Sequence, residues 1–245
     1  MGSDKMDKAN VNRRGFVKAC STVAALAAAS SARMVQPAFA LADAHKLKLV
    51  DKAGKPIKAG VLALHENYIF PYPYVSTPCL LLRLGDATAR NVQRKGANDV
   101  TYAWPGGVGK DGAVVAYSAI CAHAFSYDGR DNSFLTYSKA PGQLSARGQT
   151  ITCCAHGSIY NPAAGAEVIG GPAMFPLAAV ELAYDAASDE LSAVGLVGTT
   201  LFDDFFKAFH ADLNAQYGRG AYRKVLERQT TVLPMREYSK DVVTC

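Results

Sequence analysis

Two short segments of the sequence place a cysteine beside a histidine. They are Cys121-Ala122-His123 and Cys153-Cys154-Ala155-His156, and the stretch 124–152 separates them. Each segment supplies a thiolate and an imidazole from a short stretch of chain, so the two together offer two sulfur and two nitrogen donors. Such a set of donors is typical of a site for a soft or intermediate transition metal.

Three kinds of site use these side chains. A structural zinc site accepts two cysteines and two histidines, but it usually groups the cysteines together and the histidines together. A nucleophilic cysteine–histidine pair needs one of each and leaves the second pair unexplained. In a Rieske [2Fe–2S] centre, two cysteines bind one iron and two histidines bind the other. The interleaved order Cys-His, Cys-His favours the Rieske centre, with zinc as the alternative.

The residues that flank the second segment resemble those of the Rieske family. Gly157-Ser158-Ile159-Tyr160 continues that segment, and Gly170–Leu177 contains a Gly-Pro-Ala loop of the type that covers the cluster in this family. Residues 72–81 and 106–118 are similar to the small, Rieske subunits of arsenite oxidases. The resemblance spans roughly residues 60–198 and implies a high-potential electron-transfer protein.

The resemblance implies a role for each donor. Cys121 and Cys153 would bind the inner iron, and His123 and His156 would bind the outer iron, which is the one that is reduced. The implied metal site therefore has no catalytic residue of its own.

Two further side chains are implied to tune the cluster. Ser158 would donate its hydroxyl to a bridging sulfide, and Tyr160 would donate its phenol to a ligating cysteine sulfur. Reduction adds a negative charge to the cluster, so donors that point at its sulfur atoms stabilise the reduced form and raise the potential.

The cysteines leave one alternative open. Cys154 could replace Cys153 as the ligand, because Cys154-Ala155-His156 repeats the spacing of the first segment, but the family pattern favours Cys153. High-potential members often link their two cluster loops by a disulfide, whereas the matching positions here are Ser126 and Ala155. The roles of Cys154 and Cys245 stay open, and Cys79 is expected in a buried strand.

The stretch between the two segments, 124–152, is longer than is usual in the family. We expect an insertion over 128–147 that exposes Tyr137, Lys139 and Arg147. A surface excursion without a role and a docking role for this insertion are equally compatible with the sequence.

Short apolar or alternating runs, separated by turn residues, predict an all-β fold. The expected architecture is a Rieske-type antiparallel sandwich or barrel over 41–198, with an inserted cluster-binding part at about 115–180. The runs predicted as strands are Lys46–Val50, Gly60–Leu64, Cys79–Leu84, Ala113–Ser118, Thr150–Cys153, Leu177–Leu182 and Leu191–Val197.

The pattern changes after residue 198 to a helical extension over 199–245. Thr200 and Asp203 can cap a helix, and Gly218 can end it. The apolar residues of this helix recur at helical spacing and include Phe202, Phe205, Phe206 and Phe209. This phenylalanine stripe either packs on its own domain or docks a larger subunit, and docking is slightly favoured. His210 beside the stripe is expected to be a partly exposed helix residue.

The N-terminal segment 1–40 resembles a twin-arginine export signal. Arg13-Arg14 is followed by an Ala-rich stretch over 19–32 and by Ala38-Phe39-Ala40, which has the form of a cleavage site. We therefore expect a periplasmic protein that begins at Leu41. Association with the membrane is expected only through a retained signal or a partner.

The charge balance gives no sign of a nucleic-acid partner. The chain holds 26 Lys and Arg against 21 Asp and Glu. The signal-like segment 1–40 contains six of the basic and two of the acidic groups, which leaves 20 against 19 in the rest. The basic excess belongs to this segment rather than to a binding surface.

These observations predict an electron-transfer subunit with no substrate site of its own. Its partner would be a molybdenum enzyme, as in arsenite oxidase, or a cytochrome; the alternative is the Rieske subunit of a quinol-oxidising cytochrome b/c complex. A Rieske oxygenase is excluded, because its mononuclear iron needs two histidines and a carboxylate. His210 is the single histidine after His156.

Overall fold

The computed structural model describes residues 46–245, and β-strands dominate them. In chain order the strands are β1 Leu47–Val50, β2 Tyr68–Pro71, β3 Pro78–Arg83, β4 Val92–Lys95, β5 Thr101–Trp104, β6 Val114–Ser118, β7 Asn132–Ser133, β8 Leu135–Ser138, β9 Thr150–Cys153, β10 Ser158–Asn161, β11 Glu167–Gly170, β12 Ala179–Asp185, β13 Glu190–Val197, β14 Gln229–Thr231, β15 Leu233–Pro234 and β16 Asp241–Val242. The helices are α1 Phe202–Ala208, α2 His210–Tyr217 and α3 Met235–Tyr238.

Eight strands form one large sheet in the order β14-β1-β13-β12-β6-β3-β2-β15. Neighbours are antiparallel except for the parallel pair β1 and β14. The sheet curls until β14 approaches β2, where the Thr230 hydroxyl donates to the Pro71 carbonyl oxygen at 2.8 Å. The all-β prediction is confirmed, and the sheet is an almost closed barrel.

The central strands of this sheet are buried on both faces. In β3, Leu80 and Leu82 lie in one apolar cluster while Cys79 and Leu81 lie in the other. Because successive side chains of a strand point to opposite faces, a strand covered on both sides is apolar throughout. Cys79 is therefore a buried strand residue, as the sequence predicts.

A second sheet lies in the chain between β6 and β12. Its four antiparallel strands have the order β11-β10-β9-β8. This is the inserted subdomain that the sequence predicts, and it carries the second cysteine–histidine segment.

Two local predictions are wrong. The Gly60–Leu64 run is not a strand, because Ala59–Val61 forms a 3-10 turn whose Gly60 N–H donates to the Asp189 carboxylate at 2.9 Å. Tyr137 is buried rather than exposed, because it lies in β8 and pairs with Ile151. Lys139 and Arg147 are exposed, as expected.

The predicted helix forms as two short helices that meet at Phe209. The N-cap of α1 is Leu201, with no side-chain capping bond from Thr200, and Gly218 ends α2. His210 is exposed at the start of α2, in line with its predicted place.

The phenylalanine stripe packs on its own domain, so the expectation that it docks a larger subunit is wrong. Phe202, Phe205 and Phe206 are buried in the same apolar cluster as Tyr72 and Leu81 of the large sheet. Tyr127 meets Phe205 edge to face, with ring centroids 4.9 Å apart. The face that looked unpartnered in the sequence is part of the core.

The C-terminal residues also contribute strands, which the sequence did not predict. β14 pairs with β1, β15 with β2, and β16 with β7. The signal-like segment 1–40 and the expected mature start at Leu41 lie outside the described residues. None of the helices within residues 46–245 has both the length and the apolar character that crossing a membrane requires.

Candidate metal centre

The first cysteine–histidine segment lies in a tight loop just after β6. The Cys121 N–H donates to the Ser126 carbonyl oxygen at 2.8 Å, and the Phe125 N–H donates to the Cys121 carbonyl oxygen at 3.2 Å. These bonds curl the chain around Cys121, whose side chain is buried. His123, two residues further on, is exposed.

The second segment forms the loop of the hairpin between β9 and β10. Cys153 ends β9 and pairs with Ser158 at the start of β10. The Gly157 N–H donates to the Cys153 carbonyl oxygen at 2.8 Å, and Gly157 has a φ of +78°, which favours glycine. As in the first loop, the cysteine is buried and His156 is exposed.

The fold brings the two loops together as two pairs of like residues. The rings of His123 and His156 meet edge to face, with centroids 5.0 Å apart. The side chains of Cys121 and Cys153 are both buried in the same apolar cluster. Within residues 46–245, no group of three or more Cys, His, Asp or Glu side chains is arranged to hold a metal ion.

Tyr160 connects the two loops from β10. Its hydroxyl lies 3.3 Å from the Cys121 sulfur and accepts the Ala122 N–H at 3.2 Å. Because its oxygen already accepts that N–H, its own proton is free to point at the sulfur. The contact implied by the family resemblance, from the Tyr160 phenol to a cysteine sulfur, is thus present in the geometry.

The two thiols have opposite pKa shifts. The neighbouring Cys153 thiol, and then the Tyr160 hydroxyl and the His123 N–H, lower the pKa of Cys121 well below its ordinary value. The nearby Cys121 sulfur, together with burial, raises the pKa of Cys153. One proton therefore leaves the pair easily and the second is held, which is typical of two coupled acids. A thiolate is the form that binds metals.

The Ser158 hydroxyl provides a test of whether a cluster fits here. Its oxygen is fully buried, yet it has no hydrogen-bond partner among the described residues. A buried hydroxyl without a partner is costly, so an acceptor at this place is expected. A cluster sulfide would accept this proton, and the donor set of two thiols and two imidazoles matches the same group.

The Gly-Pro-Ala segment packs against the second loop. A Cβ atom at Gly171 would lie 2.6 Å from both the Gly157 carbonyl carbon and the Ser158 Cα, so a larger residue would push this segment away. Ala173 lies in the same apolar cluster as the two cysteines. Met174, with 85% of its surface exposed, follows it at the protein surface.

A disulfide that the sequence did not predict lies beside the second loop. Cys154 and Cys245 are joined, with their Cα atoms 5.7 Å apart and a sequence separation of 91. Within residues 46–245 the cysteines outside a disulfide are Cys79, Cys121 and Cys153. The Cys154 sulfur is therefore bonded to Cys245 and is not a free thiol. The pairing could not be read from the sequence, because the five cysteines after residue 40 allow many combinations.

Asp128 is a second feature of the site that the sequence did not predict. Its carboxylate accepts the N–H groups of Phe134 and Leu135, each at 2.8 Å, and it is fully buried. Burial raises the pKa of Asp128 to about 8, although these two N–H groups act in the opposite direction. The residue ties the start of the insertion to β8, which pairs with β9.

No family model matches the sequence. Among solved structures, the chain is similar to the soluble domain of the Rieske protein II (soxF) from Sulfolobus acidocaldarius. The two are 26% identical, the match covers 65% of this chain and 83% of that chain, and the TM-score is 0.44.

Proposed function

We propose that this protein is a Rieske-type electron-transfer protein that holds a [2Fe–2S] cluster between its two cysteine–histidine loops. The observation that carries the proposal is the sorting of the donors into a buried pair, Cys121 with Cys153, and an exposed pair, His123 with His156. Such sorting suits a cluster with two chemically different irons.

In this proposal the four ligands have different roles. Cys121 and Cys153 would hold one iron and His123 and His156 the other, and the bound cluster would accept and release one electron at a time. The apolar core around the cysteines excludes water from the sulfur side. The exposed imidazoles give an electron a short route between the cluster and a partner.

A high potential is part of the proposal. It is supported by Tyr160, whose hydroxyl already contacts Cys121, and by the buried Ser158 hydroxyl, which is free to donate. Both donors would stabilise the additional negative charge of the reduced cluster.

We further propose that the protein is exported and serves a larger oxidoreductase. Support comes from the paired arginines and the Ala38-Phe39-Ala40 site. The Cys154–Cys245 disulfide also suits an oxidising compartment. The partner would be a molybdenum enzyme of the arsenite oxidase kind or a cytochrome, supported by the resemblance over 72–81 and 106–118. The alternative is a quinol-oxidising cytochrome b/c complex, and identification of what co-purifies with the native protein separates these partners.

The cluster itself is tested on the purified protein. We expect two irons and two acid-labile sulfides per chain, visible absorbance, and a rhombic EPR signal after reduction. A protein that instead contains one zinc and is silent in both spectra would overturn the proposal in favour of a structural zinc site.

The ligands are tested by substitution. His123→Ala and His156→Ala should each abolish the rhombic signal, and so should Cys153→Ala. Cys154→Ala is the matched control and should retain the signal. The opposite result for the two neighbouring cysteines would mean that Cys154 is the ligand.

A further inference from the structure

We propose that the C-terminal segment 239–245 is a positioning element of the metal centre, and that the Cys154–Cys245 disulfide holds the second loop in place. The inference rests on the proposed function only for the identity of the metal group. The connection between the segment and the loop is a property of the chain itself.

The segment is fixed along the start of the insertion. β16 runs parallel to β7, and the N–H groups of Asp241 and Val243 donate to the carbonyl oxygens of Asp131 and Ser133 at 2.9 and 3.0 Å. The Ser239 hydroxyl adds a bond to the Gly129 carbonyl oxygen at 2.5 Å. Residues 239–243 are thus anchored before the chain reaches Cys245.

The next residues of the insertion hold the second loop. The Cys154 N–H donates to the Phe134 carbonyl oxygen at 2.8 Å, and Leu135 pairs with Cys153. Asp128 in turn fixes the N–H groups of Phe134 and Leu135. One face of the loop is therefore tied to residues 128–135, to which the C-terminal segment is also bound.

The Cys154–Cys245 disulfide joins the C-terminal segment covalently to the second loop. Cys154 lies directly after the proposed ligand Cys153 and two residues before His156, so a covalent bond there restrains both ligands. A bond between positions 126 and 155 is absent, because a serine and an alanine occupy them. The C-terminal segment thus supplies the covalent restraint on this loop.

A restraint on the second loop alone can be distinguished from stabilisation of the whole protein by the disulfide. A disulfide that joins residues so distant in sequence lowers the entropy of the whole unfolded chain, and that effect reaches every amide whose exchange needs global unfolding. A positioning role predicts an additional effect, confined to the amides of the loop that the bond restrains.

The test compares the wild type with Cys154→Ala/Cys245→Ala by amide hydrogen exchange. We expect the Cys154 and Gly157 amides to exchange about tenfold faster in the double variant, relative to the change at the β12–β13 amides. Lys240→Ala is the matched control, since it removes only the exposed Lys240–Asp131 ion pair of the same segment and should change neither set. Equal changes in the loop and in β12–β13, or no change, would overturn the proposal.

Reduction of the disulfide and the rate of iron loss provide two further tests of the same proposal. Mild reduction of the folded wild-type protein in its metal-free form breaks the same bond, and it replaces the double variant if that variant does not fold. In the loaded protein, the double variant should lose iron to a chelator several-fold faster than Lys240→Ala. A wild type that takes up no iron refutes the proposed function, whereas the metal-free exchange still decides the role of the C-terminal segment.

Discussion

In both loops the cysteine side chain is buried and the histidine side chain is exposed, because of where each residue lies along the chain. Cys121 and Cys153 lie at or near the ends of buried strands, so their side chains stay in the apolar core. His123 and His156 lie two and three residues further along turns that face solvent. The thiols are therefore shielded from water, while the imidazoles are accessible from the protein surface.

The first residue-scale prediction concerns the reduction potential. If the proposed cluster is bound, Ser158→Ala and Tyr160→Phe each remove one donor to its sulfur atoms. A hydrogen bond to a charged group is worth about 1.5–3 kcal/mol, and about 1.4 kcal/mol is 59 mV for one electron. We therefore expect each variant to keep its cluster and to lower the potential by about 60–130 mV, measured by voltammetry.

The control for this prediction is Tyr184→Phe. Its phenol donates to Asp189, between β12 and β13, rather than to either cysteine–histidine loop, so the potential should not move. Unchanged potentials in both Ser158→Ala and Tyr160→Phe would show that neither hydroxyl points at the cluster.

At the scale of elements, one buried carboxyl joins the insertion to the second sheet. Asp128 holds Phe134 and Leu135, and through them β8 and β9. Burial raises the pKa of Asp128 to about 8, so the carboxyl is neutral in the folded protein over a range in which the unfolded chain has released the proton. Tyr238 lies close enough for the two ionised forms to repel.

This linkage predicts a pH dependence of stability. The contribution of the neutral Asp128 is fully present below about pH 4 and is lost as the pH rises towards about 8, because the folded state holds the proton longer than the unfolded state. Asp128→Asn keeps an oxygen to accept both N–H groups but cannot titrate. Its free energy of unfolding, relative to the wild type, should therefore increase between pH 4 and pH 8 in urea titrations, and parallel profiles would contradict the assignment.

The helix pair α1–α2 allows a second prediction at this scale. Phe205 is fully buried against Tyr127, so Phe205→Ala should lower the free energy of unfolding by about 3–5 kcal/mol. Lys207→Ala on the exposed side of the same helix should change it by less than about 0.5 kcal/mol. Chemical denaturation of the isolated protein measures both, and a Phe205→Ala variant of unchanged stability would show that the stripe is not part of the core.

At the scale of the whole molecule, residues 199–245 are part of the barrel and of the site. They supply β14 and β15 to the large sheet, bury three phenylalanines in its core, and end at the disulfide with Cys154. The boundary after residue 198 that the change of sequence pattern suggests is therefore a change of local structure within a continuous packing arrangement.

This continuity predicts that residues 41–198 do not fold alone. Removal of residues 199–245 exposes the edges of β1 and β2 and the apolar surface under α1, which favours aggregation. Expression of 41–198 beside 41–245 tests this. We expect soluble protein with cooperative unfolding from the longer chain alone, and a soluble, cooperative 41–198 would contradict it.

Local features of the fold could be predicted from the amino-acid sequence. Most of the predicted strands form close to their expected bounds, since the alternation of side chains and the turn residues act over a few neighbours. The spacing of Cys121, His123, Cys153 and His156 likewise defines the available donors before any fold is known. The Ser158 and Tyr160 hydroxyls are implied by the family resemblance of Gly157–Tyr160 rather than by spacing.

Contacts between distant parts of the chain could not be predicted in this way and became visible in the folded structure. Cys154 forms a disulfide with Cys245, which is distant in sequence. The phenylalanine stripe packs in the core of its own domain. Tyr137 is buried by its pairing with Ile151. None of these outcomes follows from residue type or periodicity. An apolar face or a thiol has the same local sequence whichever partner covers it, and burial is fixed by the packing of the complete chain.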